Sequence, residues 1–310
     1  MSVNFSTPQS IPLEIKRYIK GSEREVEKTG KMGILRLKLE KDSATGNTVI
    51  KEQYSRVPLF VQRAMYLEET LPAMAYVYIV SPSGGILQGD RYQIDIKLSN
   101  NTFAHVTTQG ATRIYKMEKN YASQTININV EEESYFEYIP DQIIPYRNSR
   151  FYQEVNLNVH DNATMIYSEV IVPGRAASGE AFEYDICYIR TVGKNQLGKS
   201  RFIDIVKLEP KNENLKAEGI LGSFKVVGTT YIVTKAAYMQ DLHYEISEMI
   251  KGFEAKSTIS GGISILPARQ GIIIRILGNS AEEVKKIIFD VVRTARKQIV
   301  GASFSGARKA

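Results

Sequence analysis

Three short segments of this chain repeat one another at an offset near thirty residues, and that repeat limits its fold more than any other feature. IDIKL (94–98), ININV (126–130) and VNLNV (155–159) each set aliphatic residues at alternate positions with polar residues between them. Such period-two alternation marks a β-strand with one buried face. Each segment leads into a polar turn, SNNT, EEES or HDNA, and then into a second apolar strand, FAHVTTQ, YFEYIPDQ or MIYSEVI. The offsets are 32 and 29 residues. A strand-turn-strand unit of this size cannot bury its apolar face alone, so successive units should stack on one another. The expectation is a mainly β chain of stacked, solenoid-like sheets. An antiparallel sandwich of similar hairpins is the competing arrangement.

The same alternation appears earlier, where Leu35, Leu37 and Leu39 are separated by Arg36 and Lys38. The last third changes character. After a strand run at 222–236, Leu242, Ile246, Met249 and Ile250 share a helical face between Asp241 and a stop at Gly252. After strands around 263–277, Ser280 and Glu283 form a capping box for a second helix. Its apolar stripe runs through Val284, Ile287, Ile288, Val291, Val292, Ala295 and Ile299. No low-complexity linker interrupts the chain. Residues 1–310 therefore read as one domain, a β body over about 30–236 and a part bearing two α-helices over about 237–310.

The formal charge of +6 raises the question of nucleic acid, but the basic residues are dispersed and no basic stripe is interleaved with stacking aromatics. KMGILRLK and RTARKQ, the densest runs, read as the solvated faces of a strand and a helix. The single cysteine, Cys187, fits a small buried strand position in FEYDICYIR and suits a reducing cytoplasm. No run reaches the ~18 apolar residues of a membrane span, and the polar start MSVNFSTPQS lacks a signal-peptide core.

Catalytic signatures are missing from the sequence. His160 lies in a turn and His243 on the first helix, while His105 alternates with apolar neighbours, as either a satisfied inward histidine or a ligand. There is no HExxH, no CxxC and no calcium loop. The glycine-rich SGGILQGDR (83–91) and GFEAKST (252–258) lack the ending of a phosphate-binding loop. In the first, glycines permit tight turns, with Asp90 or Arg91 anchoring the bend.

Four carboxylates stand out, because Asp90, Asp141, Glu169 and Glu180 lie at apolar or glycine-marked strand ends rather than in solvated charge runs. A partly buried carboxylate is paired, protonated or bound to a cation. Pairing with Arg91, Arg113, Arg147 or Arg175 is one reading. The other is a hydrated passage lined by weak oxygen ligands, through which a divalent ion moves without being trapped. A carboxylate pair in an open cleft would instead suit a stacked-β enzyme acting on polysaccharide.

SPSGGILQGDR (81–91), TTQGATRIYKM (107–117), YIPDQIIPYRNSRFYQ (138–153) and SEVIVPGRAASGEAFEYD (168–185) follow one another along the chain. Together, in this order, they resemble the UreD (UreH) urease accessory family. The chain departs from the family pattern at Gln88, at Gln142 and in its last residues, GARKA. The resemblance implies a β fold with two helices and no catalytic turnover. It implies a scaffold that binds UreF, through it the GTPase UreG, and the urease apoprotein, with a possible dimer in the accessory complex. It also implies nickel in transit, with no tightly bound cofactor. Carried onto this sequence, Asp90, Asp141, Glu169 and Glu180 become nickel-passage residues. Gly84, Gly85, Gly89, Arg91, Thr107, Thr108, Gln109, Arg147 and Arg175 become structural or interface residues.

Overall fold

The computed structural model describes residues 11–19, 30–255, 259–304 and 306. The polar start, Lys256 of GFEAKST and the last four residues lie outside the described residues. A four-residue helix α1 (Leu13–Lys16) precedes strand β1 (Met32–Lys41), which turns back as β2 (Thr48–Arg56) and leads through β3 (Phe60–Val61) to β4 (Ala75–Val80). Successive coils follow. The first is β5 (Arg91–Leu98), β6 (Phe103–Thr108) and β7 (Thr112–Ile114), and the next is β8 (Ala122–Val130), β9 (Tyr135–Tyr138) and β10 (Ile143–Pro145). A further coil is β11 (Arg150–Val159) and β12 (Thr164–Ile171). The chain continues through β13 (Ile186–Lys194), β14 (Ser200–Leu208), β15 (Val226–Val233), helix α2 (Met239–Glu254), β16 (Ser260–Ile265), β17 (Ile272–Gly278) and helix α3 (Ala281–Val300).

The thirty-residue repeat is the register of the first sheet. In the parallel array β1, β5, β8, β11, Leu35 stands beside Ile94, Ile94 beside Ile126 and Ile126 beside Val155. Two further columns, Leu37, Ile96, Ile128, Leu157 and Leu39, Leu98, Val130, Val159, run beside it. Every member of these columns is buried, and each fully buried aliphatic side chain contributes about 1.5–3 kcal/mol. The opposite face carries a polar ladder. Asn127 donates to Asp95 (2.7 Å), Asn156 to Asn127 (3.0 Å) and Asn158 to Asn129 (2.9 Å). The columns end at β13, where Thr191 and Gly193 face Val155 and Leu157. The Phe202 ring occupies the space a Gly193 side chain would need.

The second sheet runs β16, β17, β15, β12, β9, β6, β4, β3, parallel from β4 to β12 and antiparallel at its ends. One apolar core joins the inner faces of both sheets, and the helices cover the outer face of the second. Both helices lie where the periodicity puts them, with corrections. Helix α2 runs through Gly252 to Glu254. Gly252 faces open space, so its missing side chain imposes no stop. Ser280 is the N-cap of α3 but makes no side-chain capping bond. The RTARKQ run is not a purely solvated face, because Arg296 is completely buried.

Candidate functional site

Each coil turns a corner after its strand in the second sheet, and stacking the coils stacks the corners. Ile86 bridges to Ile114, which pairs with Pro145, so segments far apart in sequence meet at one edge. A cavity of about 240 Å³ opens there between residues 81–86, 108–113 and 140–143 and runs inward between the sheets. Its inner wall is polar. Gln124 donates to Gln153 (3.1 Å), Gln153 donates to the Tyr167 hydroxyl (3.2 Å), and that hydroxyl donates to Glu169 Oε2 (2.9 Å). Gln153 also reaches Glu169 Oε2 at 3.4 Å. Glu169 Oε1 is buried and has no hydrogen-bond partner among the described residues. Burial, reinforced by the negative charge of Asp204, outweighs the Tyr167 hydrogen bond and pushes the Glu169 carboxyl up to about 7. Burial thus makes this carboxyl harder to ionise than an exposed glutamate.

Asp141 stands at the mouth in an ion pair with Lys285 of α3. Its backbone N–H donates to Thr108 Oγ1 (2.9 Å), while Thr107 Oγ1 donates to the Ile139 carbonyl (2.6 Å) and the Gln109 N–H to the Ile79 carbonyl (2.9 Å). These bonds pin neighbouring corners together. A side chain on Gly85 would come within 2.5 Å of the Arg113 carbonyl oxygen, and Gly84 lies against the Tyr115 hydroxyl. Asp141, Glu169, Gly84, Gly85, Thr108 and Gln109 thus line one cavity.

Asp90, Gly89, Arg91, Glu180, Arg175 and Arg147 are not among the residues that line this cavity. Asp90 accepts from the backbone N–H groups of Lys31 (2.8 Å) and Leu87 (2.9 Å) and from the hydroxyl of Tyr92 (3.2 Å), a cavity residue. Gly89, at φ +81°, completes that bend. Arg91 donates to the carbonyls of Asp90 (3.0 Å) and Tyr121 (2.7 Å). Glu180 pairs with Arg175, whose guanidinium lies 4.4 Å from the Tyr146 ring centre, and accepts from the Arg147 N–H (3.4 Å). The Arg147 side chain pairs with Glu183.

A second buried polar cluster lies on the outer face of the second sheet, under α3. Arg296 donates to Glu137 through Nε (2.8 Å) and Nη2 (2.5 Å) and to Glu68 through Nη1 (2.8 Å). His105 Nδ1 donates to Glu137 Oε2 (2.6 Å), and Tyr135 donates to Oε1 (2.8 Å). His105 therefore faces the helix layer, away from the cavity. Burial alone would raise Glu137, but the Arg296 charge and the bonds from His105 and Arg296 hold it at about 2.

Sequence reading allowed for an inward His105 but missed Gln124, Gln153, Lys285 and, in this cluster, Glu68, Glu137 and Arg296. A signal existed for the glutamines, since Gln124 and Gln153 share the strand phase of the buried Ile126 and Val155. Among the described residues no group of three or more His, Cys, Asp or Glu is gathered to hold a metal ion. No described helix is long and apolar enough to cross a membrane.

The family described as UreD urease accessory protein matches residues 31–309. A urease accessory protein UreD of Cenarchaeum symbiosum is 43% identical over 284 residues, covering 92% of this chain and 98% of that protein. The UreD of Photorhabdus laumondii is 37% identical over 278 residues, 88% of this chain and 84% of its own length. UreD 2 of Brucella suis is 39% identical over 276 residues, 88% and 90% of the two chains.

Proposed function

The chain belongs to the UreD urease accessory protein family, and from that premise we propose that it is a non-catalytic scaffold that passes nickel toward the urease active site. In this reading it works in the cytoplasm and binds apo-urease, UreF and, through UreF, the GTPase UreG. Residues 1–310 act as one domain, in a complex that can hold two copies. Nickel is cargo, and no cofactor is held tightly.

The observation that carries this reading is the cavity between the sheets, with Asp141 at its mouth and Glu169 deep inside. A transferred ion needs oxygen ligands that are few and separated, because a full ligand set would retain it. Lys285 partly neutralises Asp141 and weakens that first site. Inside, Glu169 exchanges its proton for the ion and takes it back when the ion leaves. Asp90 and Glu180 lie outside the lining of this cavity, where backbone amides and Arg175 respectively engage their carboxylates.

The test is co-expression of urease with every accessory partner except this chain, with bound nickel quantified. Urease should be inactive and nickel-poor, and full nickel loading would overturn the reading. Glu169→Ala should lower loading while the partner complex still copurifies. Loss of the complex would make Glu169 a folding residue and not a ligand.

A further inference from the structure

Beyond Glu169, outside the cavity lining, polar residues continue along the same face of the sheet. Across the second sheet Glu169 of β12 stands beside Thr229 of β15, and Thr229 beside Arg275 of β17. Such cross-strand partners share a face and lie one strand apart. Thr229 Oγ1, like Glu169 Oε1, is buried and has no hydrogen-bond partner among the described residues. Two unpaired oxygens in adjacent ladder positions are costly in a dry core and natural along a hydrated path. At the end of the row Arg275 pairs with Asp204 of β14, so the pair ties the edge strand of the first sheet to the second. The Tyr231 hydroxyl donates to the same Asp204 oxygen (2.6 Å). Both partners are part-exposed, Asp204 at 23% and Arg275 at 38% of the side chain.

We propose that the passage has a second mouth at this edge, reached from Glu169 across Thr229 and closed by the Asp204–Arg275 pair acting as a gate. The inference deepens the transit reading and rests on it for the cargo. A single ion pair open to water holds weakly. A divalent cation leaving Glu169 repels the guanidinium and competes for the Asp204 carboxylate. Arg275 swings into solvent while Tyr231 keeps Asp204 in place. The lining of carboxylate, hydroxyl and carboxylate suits a hydrated divalent cation.

The test uses the full chain carrying Thr229→Cys in a Cys187→Ala background, which leaves the new thiol as the chain's one cysteine. Its modification rate by methyl methanethiosulfonate is followed by mass spectrometry. Adding Arg275→Ala should speed labelling several-fold, and Arg275→Lys, which can keep the pair, should leave it slow. An unchanged rate in Arg275→Ala, with thermal unfolding also unchanged, overturns the second mouth. Should Arg275→Ala not fold, Asp204→Asn breaks the same pair and must show the same acceleration. The labelling needs neither nickel nor urease. Faster labelling in Arg275→Ala, together with full nickel loading of urease co-expressed without this chain, would leave the mouth standing and remove the transit reading.

Discussion

Glu137 and Glu169 are buried glutamates on neighbouring strands of the same sheet, and their surroundings drive them in opposite directions. Among the described residues no cation is bonded to Glu169, and burial pushes its carboxyl up to about 7 from an ordinary 4.5. The folded chain therefore holds a proton that the unfolded chain releases. Stability from this group is complete below 4.5 and is lost as pH rises through 7. Relative to Glu169→Gln, the parent should lose on the order of 3 kcal/mol between pH 4.5 and 7. Denaturant titrations at both ends of that range measure it, and parallel pH curves would refute it. Glu137 behaves in reverse, because its folded value of about 2 makes its contribution present above 4.5 and lost as pH falls through 2. Removing its partner with Arg296→Met takes the guanidinium away from the buried carboxylates of Glu137 and Glu68. That change should cost about 3–5 kcal/mol at neutral pH, read from the same titrations.

Among the elements, α3 is held by both an apolar stripe and a charge. Phe304 lies with its ring centre 4.4 Å from the Arg296 guanidinium, and the Ser303 carbonyl accepts from the same group (3.2 Å). The residues just past the helix are thus clamped to it. Gly228 of β15 lies directly beneath, where an added side-chain carbon would come within 2.5 Å of Val284 Cγ1. Val284 is short and enclosed, so Gly228→Ala should lift the helix and cost about 1–3 kcal/mol. A lowered thermal midpoint with unchanged β-sheet circular dichroism is the expected result. The elements themselves were largely legible, since strand alternation and a helical stripe are local patterns that burial reads directly. Arg296 was not legible. Nothing within its own helix tells a buried arginine from a solvated one, because the carboxylate that decides lies 159 residues away.

The whole molecule places one core between two sheets, with residues from β1 to β15 in the same apolar cluster. Unfolding followed by tyrosine fluorescence and by far-ultraviolet circular dichroism should therefore give superimposed transitions. An earlier transition in one probe would mean that the helix-bearing part melts on its own. The sequence by itself determined which residues stack, because a parallel array in register turns a repeat offset near thirty residues into columns of like side chains. Four motif segments in order likewise carried the family. Only the tertiary structure decided which carboxylates face a cavity and which are neutralised. Asp141 meets Lys285 across 144 residues and Asp204 meets Arg275 across 71. Among the described residues Glu169 has no ion-pair partner and one of its oxygens accepts no hydrogen bond. Coulombic and desolvation energies depend on separation in space after folding, and no local periodicity records that distance.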